Sequence, residues 1–229
     1  IATLAQHTDV TDDAFEVRWS TGLPRSVGLA GSSAAVVATM QALLQRWAIS
    51  LEPLEVATLA LGAEQERLGI AAGLMDRAVQ AYGGPVLVDG EEVRTLGAEV
   101  PALVVAWRMA AAGPSQRVHG PLRERFAADA AVRDTMVRLA TLARRAAHAL
   151  EGGSHDELAD CVRQTVAERR GLGIVSDEVM AMVDALQSVE VPATSAGSGG
   201  AVIGLLGGLS PETAMEVLAP ISDGAILAS

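Results

Sequence analysis

Residues 23–37 read "LPRSVGLAGSSAAVV", in which two glycines and three serines stand directly before an alanine- and valine-rich stretch. From residue 34 onward, "AAVVATMQALLQRWAI" has apolar residues at helical spacing, which predicts a helix. Before the loop, residues 14–20, "AFEVRWS", alternate between apolar and polar side chains, which predicts a strand. The sequence therefore predicts a strand, a glycine loop and a helix in succession.

Such a glycine loop has two interpretations. The first N–H groups of a helix have no intrahelical partner and the helix dipole favours negative charge, so the loop suits an anion, above all phosphate. Alternatively, the glycines permit a tight turn with positive φ and the serines cap the helix. Spacing alone leaves both open, because the stretch matches neither the Walker pattern nor the dinucleotide fingerprint.

The composition limits the class of protein. A chain of 229 residues that is 50% hydrophobic can bury a core in one large or two small domains. Its net charge of −11 argues against binding to nucleic acid, which depends on clustered Lys and Arg. No apolar run reaches the ~18 residues of a membrane span, and the first residues lack a signal-peptide pattern. We therefore expect no membrane segment and a cytoplasmic location, with the single Cys161 as a small buried core residue.

The rest of the chain predicts two α+β lobes that divide near Gly97. Helices are predicted at 50–69, 128–153, 154–171, 176–189 and 210–220, with a short helix that ends at Gly83 and Gly84. Proposed caps are Ser154 with Glu157 as a capping box, Ser176, and Ser210 followed by Pro211. Strands are predicted at 101–109, 201–206 and 223–229, with a second glycine loop at 194–200 and a hairpin that turns at Asp89-Gly90. Three tryptophans are expected in the core: Trp19, Trp47 and Trp107.

Three stretches together resemble the signatures of the GHMP kinases, a superfamily of small-molecule kinases. They are "VGLAGSSAA" at 27–35 after Pro24, "AEQERLGIAAGLMDRAVQAYGG" at 63–84, and "TSAGSGGAVIGLL" at 194–206, in the order that the superfamily has them. The resemblance implies an α+β, two-lobed GHMP kinase fold. Its ribosomal S5-like N-terminal, nucleotide-binding lobe would be residues 1–97, and its ferredoxin-like C-terminal lobe would be residues 98–229. Together with "PSQRVHGPLRERF" at 114–126, the pattern is most similar to the glucuronokinase-like sugar kinases.

The chain departs from the superfamily pattern in two places. The first signature, an N-terminal strand and loop that often carries a catalytic lysine, has no counterpart here, and all 17 basic residues are arginine. Ala193 stands where the third signature usually has a basic residue. We therefore expect that the N-terminal part of the first lobe is missing and that the chain as given is incomplete as an enzyme.

The resemblance implies ATP and Mg²⁺ as cofactors and a sugar as substrate, in a monomer or homodimer. The phosphates of ATP would be bound by Pro24, Gly28, Leu29, Ala30, Gly31, Ser32, Ser33 and Ala34. Mg²⁺, which prefers oxygen ligands, would be bound by Ser33 and Glu64. The sugar would be bound by Gly73, Asp76, Arg77, Ser195, Gly197, Gly199 and Gly200.

Two of these residues, Asp76 and Arg77, are the expected catalytic pair. Asp76 would act as general base or anchor the acceptor hydroxyl, although a helix cap is the alternative for it. Arg77 would assist Asp76 or meet an anionic sugar, for which Arg25, Arg117 and His119 are further candidates. Glu66 competes with Glu64 for the metal, because two residues apart on a helix they face different ways.

The implied reaction is transfer of the γ-phosphoryl group of ATP to a sugar hydroxyl, with the anomeric hydroxyl of D-glucuronate as the expected acceptor. Two alternatives stay open. One is a GHMP kinase of another branch, acting on a different sugar or a non-sugar alcohol. The other is a nucleotide-binding homologue with impaired catalysis.

Overall fold

The computed structural model describes residue 4 and residues 14–70, 72–114 and 116–228. The chain forms two compact units. Unit 1 comprises Ile1–Leu23 and Ala30–Leu96, and unit 2 comprises Pro24–Leu29 and Gly97–Ser229. The boundary between the units therefore falls within the glycine loop. The first part of the loop belongs to unit 2, and the helix after it belongs to unit 1.

The described part of unit 1 contains three helices and a hairpin. They are α1 (Gly31–Arg46), α2 (Pro53–Gly62) with a π turn at Ala63–Arg67, α3 (Leu74–Tyr82), β1 (Val86–Asp89) and β2 (Glu92–Thr95). Helix α2 starts at Pro53, and the N–H of Glu52 donates to the Glu55 carboxylate over 2.8 Å. Gly83 has φ +72 where α3 ends, and Gly90 has φ +66 in the hairpin turn.

The core of unit 1 consists of apolar side chains from α1 and α2. Its buried members include Val37, Met40, Leu43, Leu44, Val56 and Ala60. Phe15 and Trp47 pack at its margin, with their rings 5.9 Å apart edge to face. These side chains therefore pack α1 against α2.

Unit 2 has an antiparallel sheet covered by helices. Its elements are β3 (Leu103–Trp107), a 3₁₀ turn (Met109–Ala111), α4 (Gln116–Ala128), α5 (Ala130–Glu151), α6 (His155–Gly171), α7 (Asp177–Ser188), β4 (Ala193–Ala196), β5 (Ala201–Leu205), α8 (Pro211–Leu218) and β6 (Gly224–Ala228). The sheet order is β4-β5-β3-β6, and all three pairings are antiparallel. A βαββαβ chain with this order has the ferredoxin-like topology that the sequence predicts.

The core of unit 2 lies under α7 and α8. It includes Val104, Met182, Leu186, Val202 and Leu218, all fully buried. Cys161 is 1% exposed, which confirms that it is a buried residue. None of the helices in the described part of the chain is long and apolar enough to cross a bilayer.

Most predicted elements are confirmed, and three details are wrong. Residues 14–20 form no strand, because no described strand pairs with them, and Glu16 and Arg18 pair with each other instead. Trp19 is 56% exposed and lies outside the core. Ser154 begins α6 without a side-chain cap, so the predicted capping box does not form. Ser176 and Ser210 do cap their helices.

Three elements differ from the predicted pattern. Helix α4 was not predicted, because Gly120 and Pro121 lie inside it and both disfavour helix interiors. The stretch at 194–200 is a β-hairpin, since its first residues extend β4 and only residues 197–200 turn. The π turn also replaces the regular helix predicted as far as residue 69.

Candidate functional site

Helix α1 starts without a side-chain cap. Ala30 is its N-cap residue, in the left-handed conformation at φ 55, and no side chain caps the helix. The first intrahelical bond runs from the N–H of Ala34 to the carbonyl oxygen of Ala30 over 3.0 Å. The Ser33 hydroxyl donates to the same carbonyl over 2.8 Å. The serines are therefore not the helix caps of the turn-only interpretation, and the amides of residues 31–33 precede the first helical bond.

The carboxylate of Glu64 is bound at this helix start. Glu64 lies in the π turn and is fully buried, whereas Glu66 is exposed. The Ser32 hydroxyl donates to Oε1 of Glu64 over 3.1 Å, and Nε of Arg77 donates to Oε2 over 2.7 Å. A π turn inserts an extra residue into a helix and is frequent at functional sites. The structure thus brings Glu64, and not Glu66, to the glycine loop.

The guanidinium of Arg77 is largely engaged inside unit 1. Besides Glu64, it donates from Nη1 to the carbonyl oxygen of Gly73 over 3.0 Å. Nη1 also lies 3.6 Å from Oδ2 of Asp76, whose side chain is 53% exposed. Arg77 is itself only 5% exposed. Its partners are therefore the residues proposed for metal binding and catalysis.

Asp76 lies in the first turn of α3 but does not cap the helix. Gly73 is the N-cap residue, and Asp76 is the third helical residue. The helix-cap alternative for Asp76 is therefore wrong. Its carboxylate is exposed beside a buried cation, which leaves it accessible to a substrate.

Gln80 is a site residue that the sequence did not reveal. Its Nε2 donates to the carbonyl oxygen of Ala30 and to Oγ of Ser33, each over 3.2 Å. Its Oε1 is buried and has no hydrogen-bond partner among the described residues. The available signal was its position three residues after Arg77, which places both on one face of α3.

The second glycine stretch lies backbone to backbone with the first part of the loop, within unit 2. A Cβ on Gly28 would lie 2.5 Å from the carbonyl oxygen of Ala196 and 2.7 Å from the nitrogen of Gly199. A Cβ on Gly197 would lie 2.8 Å from the carbonyl oxygen of Gly28. A Cβ on Gly199 would overlap the backbone of Val27 and Gly28. Only glycine permits this approach.

The conformation of the loop is unusual as well. Ser26 has φ 62 and Gly28 has φ +90, and Ala30 follows at φ 55. Positive φ in non-glycine residues costs ~1–3 kcal/mol each and is concentrated at ligand sites. This alternation therefore supports a binding role for the loop.

Arg169 of α6 contacts the hairpin from its other side. Its Nη1 donates to the carbonyl oxygen of Ser195 over 2.8 Å, and its Nη2 donates to that of Gly197 over 2.5 Å. Burial lowers the pKa of this guanidinium. No pattern in the sequence distinguishes Arg169 from the other 16 arginines.

The remaining expected residues are placed as follows. Ser195 is 4% exposed, and its hydroxyl has no partner among the described residues. Gly200 packs its α-carbon against the 3₁₀ turn, because a Cβ there would lie 3.1 Å from the carbonyl carbon of Ala111. Arg25, Arg117 and His119 are exposed. The described residues contain no group of three or more His, Cys, Asp or Glu side chains suited to a metal.

Comparison with known proteins confirms the GHMP kinase fold that these features indicate. Residues 1–84 match the family model of the GHMP kinases N terminal domain. Phosphomevalonate kinase of Streptococcus pneumoniae, solved with phosphomevalonate and AMPPNP, superimposes with a TM-score of 0.72 at 16% identity, over 88% of this chain and 69% of that one. The chain therefore has the GHMP kinase fold, as its three signatures predict.

Two curated relatives from Arabidopsis thaliana are more similar in sequence. Glucuronokinase 1 is 32% identical over 207 residues, which are 82% of this chain and 56% of the relative. Probable glucuronokinase 2 is 31% identical over 213 residues, which are 84% of this chain and 57% of the relative. The predicted resemblance to glucuronokinase-like GHMP kinases is confirmed, and the chain spans somewhat more than half the length of these relatives.

Proposed function

We propose that this chain belongs to an ATP- and Mg²⁺-dependent sugar kinase whose acceptor is the anomeric hydroxyl of D-glucuronate. The observation that carries the proposal is the buried network at the start of α1, where Ser32 and Arg77 both bind Glu64 and Arg77 also lies beside Asp76. A GHMP kinase fold and glucuronokinase relatives at 31–32% identity support it. Residues 1–97 are proposed as the N-terminal lobe and 98–229 as the C-terminal lobe.

The phosphates of ATP are proposed to lie against the backbone of Gly28–Ser33 and the first turn of α1. Three features support this: the uncapped N-terminus of α1, the positive φ of Ser26, Gly28 and Ala30, and the absence of an acidic side chain from the first turn. Phosphate groups bind well to such N–H groups and to the positive end of a helix dipole. The neighbouring residues Pro24, Leu29 and Ala34 belong to the same proposed segment.

The residues proposed to bind Mg²⁺ are chemically suited to it, because their side chains offer hard oxygen donors. Ser33 supplies a hydroxyl, Glu64 a carboxylate, and Oε1 of Gln80 is buried without a partner among the described residues. When bound, the ion would neutralise charge on the transferred phosphoryl group. Arg77 is proposed to act through Glu64, since it fixes that carboxylate by donating to Oε2.

Asp76 is proposed to accept the proton of the sugar hydroxyl or to anchor it in line with the γ-phosphate. Its carboxylate is accessible, and Nη1 of Arg77 lies 3.6 Å from its Oδ2. The other proposed sugar contacts are Gly73, Ser195, Gly197, Gly199 and Gly200. Phosphoryl transfer depends mainly on such positioning and on charge neutralisation.

The test is a panel of sugars incubated with ATP and Mg²⁺, with products identified by phosphorus NMR. We expect a 1-phosphate from D-glucuronate and little product from glucose or galactose. Equal turnover of neutral hexoses, or phosphate on another hydroxyl, would assign the chain to another branch of the superfamily. Binding of Mg²⁺-AMPPNP without turnover of any sugar would instead support a nucleotide-binding homologue.

A further inference from the structure

We propose that Arg169 is a positioning residue that holds the glycine turn at 197–200 against Gly28. This inference rests on the proposed function for its effect on catalysis, although the contact itself does not depend on it. Arg169, the hairpin and Gly28 all belong to unit 2.

The guanidinium of Arg169 makes two hydrogen bonds to the hairpin, and we call this pair of bonds the clamp. One guanidinium binds the carbonyl oxygens of Ser195 and Gly197, which lie two residues apart and therefore on the same edge of the chain. Strand β4 is an edge strand, and among the described strands only β5 pairs with it, which leaves its outer edge open to Arg169. Arg169 thus fixes both the last part of β4 and the first residue of the turn.

The glycine turn at 197–200 also holds the first part of the glycine loop. Gly197 and Gly199 lie against the backbone of Val27 and Gly28 with no room for a Cβ, so a shift of the turn must shift the loop. Two backbone hydrogen bonds tie the surroundings together: the N–H of Arg108 donates to Gly200 over 2.7 Å, and the N–H of Gly113 donates to Ser26 over 3.0 Å. The chain of contacts from Arg169 to Ser26 is therefore continuous.

The charge of Arg169 loses hydration free energy because the side chain is partly buried. Its pKa is lowered by burial, and no carboxylate of the described residues pairs with it. At a partly buried position, an apolar side chain of similar size is often as stable as a charged one. A cation that binds only carbonyl oxygens there is therefore weak evidence for a purely stabilising role. The two directed bonds favour a role in geometry.

The experiment compares Arg169→Met with Arg170→Met. Arg170 is the next residue of α6 and is exposed, with its Nη1 3.9 Å from Asp184. We expect Arg169→Met to raise KM for ATP about tenfold, with a smaller fall in kcat, because a displaced loop costs about that much or more. Arg170→Met should leave both unchanged. An Arg169→Met enzyme with the wild-type KM would overturn the proposal.

Chemical rescue distinguishes positioning from simple stability. In Arg169→Ala, guanidinium ion well below unfolding concentrations should restore part of the affinity for ATP, whereas equal concentrations of urea or NaCl should not. Rescue by all three, or by none, would contradict a clamp made by the guanidinium group.

Amide hydrogen exchange tests the clamp without any kinase assay. Arg169→Met should speed exchange at the amides of Arg108 and Gly113, which report on the turn and the loop respectively, and Arg170→Met should not. Unchanged exchange at Gly113 would overturn the proposal even in an active kinase. Faster exchange in a chain that phosphorylates no sugar would leave the clamp standing and reject the proposed function alone.

Discussion

The guanidinium of Arg77 donates from Nε to Oε2 of Glu64 over 2.7 Å, and both side chains are buried. The Ser32 hydroxyl binds the other carboxylate oxygen of Glu64 over 3.1 Å. The pair therefore joins α3, through the π turn, to the first turn of α1. Its integrity should govern both the stability of unit 1 and the placement of the proposed metal ligand.

Removing one member of this pair should lower the free energy of unfolding strongly. Arg77→Met leaves the buried Glu64 carboxylate without its cation, so we expect a loss of about 3–5 kcal/mol in the free energy of unfolding, measured by urea titration. The double variant Arg77→Met/Glu64→Gln should regain much of that loss. The matched control is Arg138→Met, which removes a half-exposed guanidinium from Glu168 and should cost far less, because water screens an exposed ion pair. Equal costs for the two arginines would contradict this account.

Ser33→Ala should weaken binding of Mg²⁺-AMPPNP while the fold persists. The Ser33 hydroxyl is 1% exposed and bonds to Ala30 and Gln80, so its loss should cost only about 1 kcal/mol of stability. Thr39→Ala is the control, because the Thr39 hydroxyl makes a similar bond to Ala35 over 2.7 Å farther along α1. Calorimetric titration should show weaker nucleotide binding only in Ser33→Ala. Wild-type affinity in that variant would remove Ser33 from the site.

Asp76→Asn should slow phosphoryl transfer by ~10²-fold or more, with nearly normal binding of ATP. The substitution keeps the size of the side chain and removes its charge and basicity. Because Asp76 is half exposed, the melting temperature should change little. Glu66→Gln, which neutralises an exposed carboxylate of the π turn, is the control and should turn over sugar at the wild-type rate. An unimpaired Asp76→Asn enzyme would show that Asp76 takes no part in the chemistry.

Gly199→Ala should displace the loop and lower both stability and affinity for ATP. A Cβ at Gly199 would overlap the backbone of Val27 and Gly28, and backbone cannot move aside as a flexible side chain can. Gly171→Ala is the control at the end of α6, where a Cβ would meet nothing within 4 Å. We expect this control to be neutral or stabilising by up to about 1 kcal/mol. Thermal unfolding and nucleotide titration of the two variants check the prediction.

Cys161 should react with thiol reagents only when unit 2 unfolds. The residue is 1% exposed, and burial raises the pKa of its thiol. Since the thiolate is the reactive form, a raised pKa keeps the group protonated at neutral pH, and reactivity should grow only toward alkaline pH. Labelling with an aromatic disulfide should be slow in buffer and complete in urea. Rapid labelling of the native chain at neutral pH would contradict the buried placement.

Local sequence determined much of this protein. Helix starts at Pro53 and Pro211, the hairpin turn at Gly90 and the end of α3 at Gly83 follow from residues that act within a few positions, because backbone conformation there depends on φ preference and on unpaired N–H groups. The three glycine- and acid-containing signatures also sufficed to predict the GHMP kinase fold, which is confirmed.

Tertiary structure decided the rest, because it depends on contacts between residues far apart in the chain. Alternation at 14–20 predicts a strand, but a strand forms only where another strand accepts its hydrogen bonds, and none of the described strands does. Glu64 was preferred over Glu66 by resemblance, and the π turn together with Arg77 is what buries it. Gln80 contacts Ser33 of the glycine loop across 47 positions of sequence, and Arg169 contacts Gly197 of the hairpin across 28. No local pattern could reveal either contact. The close approach of Gly28 to Gly199 likewise joins residues that are far apart in the chain.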